Sequence, residues 1–342
     1  MVGQAEKRFS SKEVMNGKGK DSVLWNDWHV LARSHDLQPG SIIGARLLDT
    51  DLVLWRGKDT EILVWEDRCP HRSVRLSGGK VVGDTLVCSY HGMVYDPRGQ
   101  CIKVPSQPNY VPPKQACVHA YKVQERYDLV FVCLGEPDKD IPAFPEWDAP
   151  GYRSILCGPH YCRSGGFRAI ENFLDLAHFP FVHTGILGEP GLTGVEDYEV
   201  SANESGIRLH DIRIWQPDPV GMRQGAVVTY NYWALRPLTA YLTKITPNGE
   251  GLTILYYVTP VSEEECIGWM CIAVNYGDPS QDQEIKAFQD HVVLQDIVNL
   301  ESHNPKRLPL NLQAEFHVPC DRGSLAYRKW LKSLGLTYGV IA

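Results

Sequence analysis

No segment of this chain comes near the roughly eighteen uninterrupted apolar residues that a membrane-spanning helix needs, so no such span is expected. The first 22 residues mix charge with Gly and Ser and lack the apolar core of about seven residues found in secretory signals. Residues 1–22 therefore read as a flexible tail, and a cytoplasmic location is expected. Lysine and arginine form no dense block, and the net charge of −7 argues against a nucleic-acid partner. The 10 cysteines are spread thinly over 342 residues, unlike the framework of a small secreted domain, so thiols or metal ligands are expected in place of disulfides. No internal repeat is visible.

What is present describes a folded chain of two domains. Apolar residues make up 43% and the 9 Trp and 16 Tyr exclude disorder, while 342 residues exceed the usual length of one domain. Residues 23–150 show short apolar runs, Val53 to Trp55, Ile62 to Trp65, Thr85 to Val87 and Leu129 to Leu134, separated by turn signals such as Gly78-Gly79 and Pro97-Arg98-Gly99. That spacing predicts an all-β domain. Gly135 to Gly151 carries four prolines and five acids and reads as an irregular connection.

Residues 151–342 read as an α+β domain on an antiparallel sheet. A helix is expected from Phe167 to about Ala177, followed by strands at Gly206 to Trp215, Ala226 to Leu235, Ala240 to Thr246, Leu252 to Thr259 and Cys266 to Asn275. A second helix runs from about Ser280 to Leu300, with Ser280 and Gln283 as a capping box, and a third from Gly323 to Leu334.

Two constellations carry chemistry. Cys69-Pro70-His71 is followed, after sixteen intervening residues, by Cys88-Ser89-Tyr90-His91. One Cys and one His from each of two loops is what a [2Fe-2S] cluster with thiolates on one iron and imidazoles on the other requires, and chance would produce such a pattern on the order of 0.004 times. A structural Cys2His2 zinc site is the rival, but zinc modules usually pair Cys with Cys and His with His. Arg72 and Tyr90 lie inside these loops and are assigned no chemistry.

The second constellation is Asp175, His178 and His183 within an otherwise apolar stretch. Asp175 and His178 would share one helix face, and Pro180 would end or kink the helix so that His183 returns to the same centre. A facial triad for mononuclear Fe(II) takes two histidines and one carboxylate and leaves positions open for O2 and substrate. Asp296 is the leading candidate for the carboxylate, because its helical neighbours Val292, Val293, Asn299 and Leu300 form a face on which an unpaired acid would be unfavourable. The alternatives are Asp290 or Glu301 as ligand, or Asp296 in a plain salt bridge.

With these motifs, Cys69-x-His71, Cys88-x-x-His91 and Asn172-x-x-Asp175-x-x-His178-x4-His183, the chain resembles the Rieske non-haem iron oxygenase α-subunit family over nearly its whole length. The resemblance implies an N-terminal all-β Rieske domain, a C-terminal catalytic domain of antiparallel sheet and helices, and a head-to-tail homotrimer. It implies that Asp296 completes the iron site, that Asp175 links the two metal centres, that Asn172 lines the pocket, and that electrons come from NAD(P)H through a separate flavin reductase or ferredoxin. Ser89 and Met93 depart from the family's common Pro and Trp without removing a ligand.

Within the family, Leu52 to Arg56, Ile141 to Asp148, His178 to Phe181 and Ala326 to Gly335 look similar to the cyanobacterial hydroxylases of the saxitoxin pathway. That similarity implies C–H hydroxylation of a small polar guanidinium alkaloid, with Glu196, Asp197, Glu199 and Asp211 available to pair with the cation. The alternatives are oxidative N- or O-demethylation, suggested by likeness to caffeine demethylases, and an electron carrier or zinc module without oxygenase activity. Tyr230, Tyr232, Tyr257 and Trp269 are candidate pocket residues.

Overall fold

A computed structural model describes residues 21–220 and 224–342. Most of the expected tail, residues 1–22, thus lies outside the described residues. Asp21 and Ser22 are described: the Asp21 carboxylate accepts from the backbone amides of Thr337 and Tyr338, and Ser22 starts the one-turn helix α1 (Ser22–Trp25).

The N-terminal half contains ten strands, β1 (His29–Arg33), β2 (Ile42–Leu47), β3 (Thr50–Arg56), β4 (Ile62–Glu66), β5 (Lys80–Val82), β6 (Thr85–Val87), β7 (Val94–Tyr95), β8 (Cys101–Lys103), β9 (Ala120–Arg126) and β10 (Leu129–Cys133). They form a six-stranded antiparallel sheet, β1-β10-β9-β4-β3-β2, and a smaller sheet, β5-β6-β7-β8. Each of the four apolar runs singled out above lies in a strand, apart from Leu134, which follows the end of β10.

The second half carries β11 (Arg153–Cys162), α2 (Gly166–Leu174), α3 (Phe179–Val182), β12 (Glu199–Asn203), β13 (Gly206–Gln216), β14 (Ala226–Arg236), β15 (Thr239–Ile245), β16 (Gly251–Ser262), β17 (Glu265–Val274), α4 (Asp282–Ser302), β18 (Leu308–Pro309), α5 (Arg322–Ser333) and β19 (Val340–Ile341). Seven of these strands make one antiparallel sheet, β11-β17-β16-β15-β14-β13-β12. The architecture is the α+β one expected. Among the described residues no helix is long and apolar enough to cross a membrane.

Side-chain alternation on β16 and β17 assigns the two faces of this sheet. Leu255, Tyr257, Trp269 and Cys271 pack against Val30 and Phe131 of the first sheet, together with Ile141 and Phe144 from the irregular connection. Their neighbours Ile254, Tyr256 and Met270 point the other way, toward α2 and α4. Tyr257 and Trp269 are therefore mortar between the sheets and not pocket residues.

Several sequence expectations need correction. No strand was expected before the first helix of this half, yet β11 forms there; Gly158-Pro159 within it is absorbed as an irregularity in the β11–β17 register between Cys157 and His160. Ser280 does not cap α4, which starts from Gln281 without a side-chain cap; the capping box belongs instead to the short 3-10 turn ahead of the helix, where the Asp278 side chain accepts from the Ser280 amide and Gln281 Oε1 accepts from the Asp278 amide. Asn299 is exposed, so the buried side of α4 is narrower than expected. Helix α2 stops at Leu174, three residues early, with Asp175 in extended backbone.

Candidate active site

The paired Cys and His residues occupy two loops, one after β4 and one between β6 and β7. The loops repeat a single conformation. Cys69 N–H donates to the carbonyl five residues on, Val74, and receives a bond on its own carbonyl from the amide four residues on, Ser73; Cys88 does the same with Met93 and Gly92. The fourth residue has positive φ in both, +58° at Ser73 and +65° at Gly92, which glycine adopts freely. This turn buries both thiols and leaves His71 and His91 exposed, their rings 4.7 Å apart.

Two inner sulfurs and two outer imidazoles are the donor set of a [2Fe-2S] cluster with chemically distinct irons. Tyr95 Oη lies 3.1 Å from Cys69 Sγ, placed to donate to a thiolate. Burial pushes the Cys88 thiol up while the amides of Tyr90 and His91 pull it back, as they would for a ligating thiolate. Tyr90 is exposed and rests against the His91 ring at 3.9 Å. Tyr95 was missed from sequence, since nothing in its pattern distinguishes it from a core tyrosine.

The second centre is assembled by a break in a helix. Asp175 Oδ1 accepts from the Ala177 amide at 2.9 Å, a local turn that competes with helix continuation. Pro180 then sits in the first turn of α3, where its missing N–H has no consequence. Proline here starts a helix; the expectation that it ends one was wrong.

His178, His183 and Asp296 converge, with their ligand atoms all within 4.8 Å of one another. Asp296 Oδ1 lies 3.3 Å from His178 Nε2 and 3.1 Å from His183 Nε2. The opposite ring nitrogens are both engaged: His178 Nδ1–H donates to Asp175 Oδ2 at 3.0 Å and His183 Nδ1–H to Gln295 Oε1 at 2.8 Å. Such outer partners fix ring orientation and leave both Nε2 lone pairs free for a metal. Burial pulls the His178 imidazole down, but Asp175 and Asp296 outweigh it and raise it to about 9. Burial pushes Asp296 up, and the two histidines return it below the usual carboxylate range. A field that favours positive charge this strongly also favours a divalent cation. Asn172 Nδ2 reaches Asp296 Oδ1 at 3.4 Å. Gln295 went unnoticed in the sequence; the signal was available, because each ligating imidazole needs an acceptor behind it.

The alternative carboxylates are occupied elsewhere. Asp290 pairs with His160 at 2.7 Å and with Lys286, and Glu301 pairs with Arg163 at 3.0 Å.

Beside the triad lies a cavity of about 90 Å³ between α2, α4 and the seven-stranded sheet. Its walls are mainly apolar and aromatic, with Phe173 stacked on Tyr256 at 4.9 Å and Tyr230 on Tyr232 at 5.6 Å. Asn172, Gln289 and Lys244 supply polar groups, and Asp296 is the one carboxylate among the described lining residues. Glu196, Asp197, Glu199 and Asp211 are exposed outside it, with Asp197 paired to Arg322, so the expected acid cluster for a cationic substrate does not form there.

A scaffold with a Cys/His loop pair in one half and two histidines with one carboxylate beside a cavity in the other is that of an oxygenase that stores electrons at one centre and uses them at a second. Comparison with known proteins agrees. Residues 27–123 match the Rieske [2Fe-2S] domain and residues 168–337 the vanillate O-demethylase oxygenase C-terminal domain. Methylxanthine N1-demethylase NdmA of Pseudomonas putida is 31% identical over 90% of this chain and 88% of its own length. Its caffeine-bound structure superposes with a TM-score of 0.78 over 91% of each chain, at 28% identity. Methylxanthine N3-demethylase NdmB of the same organism is 29% identical over 92% of this chain and 91% of its own. Oxidoreductase NdmD, also from P. putida, matches a third of this chain, 35% identical over 113 residues, or 19% of its own length.

The chain belongs to the Rieske non-haem iron oxygenase α-subunit family. It is a monooxygenase that carries a [2Fe-2S] cluster and a mononuclear iron. The electron-carrier and zinc-module alternatives are thereby set aside.

Proposed function

We propose that this chain is an oxidative demethylase of a small, flat, methylated heterocycle. The observation that carries the reading is full-length likeness to two methylxanthine demethylases, joined to a cavity whose aromatic walls suit a planar ring. A guanidinium alkaloid of saxitoxin type fits less well, because no carboxylate other than Asp296 lines the cavity among the described residues. Its hydroxylation is the outcome against which demethylation is tested.

In this proposal Cys69, His71, Cys88 and His91 hold the cluster, and His178, His183 and Asp296 hold the iron. Once loaded, the iron supplies O2 activation, placing one oxygen atom in a C–H bond of the methyl group and releasing the other as water with two electrons and two protons. The hydroxymethyl product then loses formaldehyde, returning hydrogen to the ring nitrogen. The protein's own contribution is orientation and exclusion of water. Phe173, Tyr230, Tyr232 and Tyr256 form the walls, Asn172 steadies Asp296, and Gln289 and Lys244 are placed to read polar edges of the ring.

Asp175 is half-buried behind His178, and we infer that it is the contact through which electrons arrive. We further infer a head-to-tail homotrimer fed by a separate reductase or ferredoxin. Its support is that apolar side chains stand exposed both at the cluster loop, Tyr90, and beside the iron site, Phe181 and Val298.

The test is a panel of N-methylated heterocycles and guanidinium alkaloids incubated with the reconstituted enzyme, a reductase and NAD(P)H. Formaldehyde in equal amount to demethylated product is expected. Hydroxylated product without formaldehyde overturns the reading. Asp296→Ala is expected to lose the mononuclear iron while keeping the cluster's visible absorption.

A further inference from the structure

Cys162 closes β11 and Cys266 lies near the start of β17, and the antiparallel register sets them directly opposite each other. They are the one such pair among the strand registers of the ten cysteines. Directly opposed residues in an antiparallel pair have Cα atoms about 4.5–5.5 Å apart and side chains on the same face, within the roughly 4.4–6.8 Å that a disulfide spans. Both thiols are buried, and both line the substrate cavity. On the other side the same two residues line a second, outer cleft bounded by Arg46, Arg163 and Glu265. The pair thus forms a thin partition between the reaction chamber and the surface.

The two thiols are also unlike. Contact with Cys266 draws Cys162 below the ordinary thiol range, whereas that contact and burial push Cys266 well above it. One partner is thereby the better thiolate nucleophile and the other a resolving thiol. Cys266 lies against the start of α2, where a Cβ on Gly166 would stand 3.7 Å from Cys266 Cβ. The far end of α2 presents Asn172 and leads into Asp175. A change at the thiol pair therefore acts on the helix that positions the iron site.

We propose that Cys162 and Cys266 form a reversible dithiol–disulfide pair in the cavity wall, oxidised by hydrogen peroxide released when O2 is reduced without substrate oxidation. The Cys162 thiolate attacks one peroxide oxygen, breaking the O–O bond and giving a sulfenic acid and one water. The Cys266 sulfur then displaces the hydroxyl as a second water, both thiol protons ending in water and the two sulfurs losing two electrons in total. A thiol reductant reverses the change. The proposal needs the family's O2 chemistry and not any particular substrate, so it survives a failure of the demethylase assignment.

The experiment uses the iron-loaded full chain, reduced with dithiothreitol, freed of it, and turned over with reductase, NADH and O2 but no substrate. Peptide mapping after alkylation is expected to show a Cys162–Cys266 cross-link, an intact mass lower by two hydrogens, and a fall in turnover that dithiothreitol reverses, with cluster absorption intact. Catalase added during turnover is expected to prevent the cross-link. Free alkylation of both thiols after turnover and after added peroxide overturns the proposal. So does a cross-link that forms equally with catalase present, or conversion of either thiol to a sulfinic acid in place of the disulfide. Cys162→Ser is the control that cannot cross-link; because the primary readout is chemical mapping of the wild-type chain, the conclusion does not depend on how that variant folds.

Discussion

Lys244 gives a quantitative handle on the cavity. Its side chain is buried in the cavity wall, Nζ donates to the Pro219 carbonyl at 2.7 Å, and burial lowers the amine from 10.5 to about 8, with the Asp218 charge opposing. The folded chain therefore binds fewer protons than the unfolded chain between about pH 8 and 10.5. Stability from this residue must rise with pH across that window, the reverse of the behaviour of an amine held in an ion pair. Integrating the linkage from pH 7 to 9.5 gives about 2 kcal/mol, as an order of magnitude. Lys244→Met keeps the apolar stem and removes the titration. Urea unfolding of both chains at pH 7, 8, 9 and 9.5 isolates the effect, since other titrating groups cancel in the difference. The wild-type chain is expected to gain on the variant by about 2 kcal/mol over the series, most of it above pH 8. A difference independent of pH, or one that shrinks as pH rises, would refute the claim that the amine is desolvated.

Other substitutions address the metal centres and the buried charge network. Gln295→Leu leaves His183 Nδ1–H without its acceptor and is expected to weaken iron retention against a chelator by about 10- to 100-fold, with unchanged retention counting against the role. Asp175→Asn replaces two acceptor oxygens by one acceptor and one donor, so either the Ala177 amide or His178 Nδ1–H loses its partner. Loss of iron by this near-isosteric change, measured by elemental analysis, is expected. Tyr95→Phe removes a donor from the Cys69 sulfur and is expected to lower the cluster potential in a redox titration without loss of cluster. Arg328→Met removes one of the two arginines that bridge Glu171 and Glu315, leaving Arg168 bonded to both. Leaving a buried charge wholly unpaired costs about 3–5 kcal/mol, so with Arg168 in place a smaller loss is expected, read by urea denaturation.

The parts of the fold that were legible share one property: the information is local. Val53 to Trp55 and Leu129 to Cys133 are short β-branched and aromatic runs between turn residues, and they are strands. The cluster loops were legible because Cys-x-His and Cys-x-x-His must each close on themselves, and the hydrogen bonds to Val74 and Met93 do so. What stayed hidden depends on distant partners. Tyr257 and its neighbour Tyr256 are equally aromatic, and only register against β15 and β17 decides that one faces the other sheet and the other the cavity. β11 pairs with a strand more than a hundred residues later, which holds it extended through Gly158-Pro159. The acids Glu196 to Asp211 fail for the same reason, since charge alone carries no direction.

The break after Leu174 shows why the iron site needs a departure from regular structure. On one continuous helix His178 and His183, five residues apart, would point about 140° away from each other and could not meet a common carboxylate. Ending α2, turning through Asp175 and Ala177, and starting again at Phe179 brings both imidazoles to Asp296 Oδ1. The sequence elements that enforce the break also serve the site. Asp175 makes the turn with one oxygen and orients His178 with the other, while Pro180 restarts the helix. Asn172, still on α2, then donates to the same Asp296 oxygen. A continuous helix would carry the same side chains and assemble none of this geometry, which is why spacing alone pointed to the histidines that converge here through a wrong local structure.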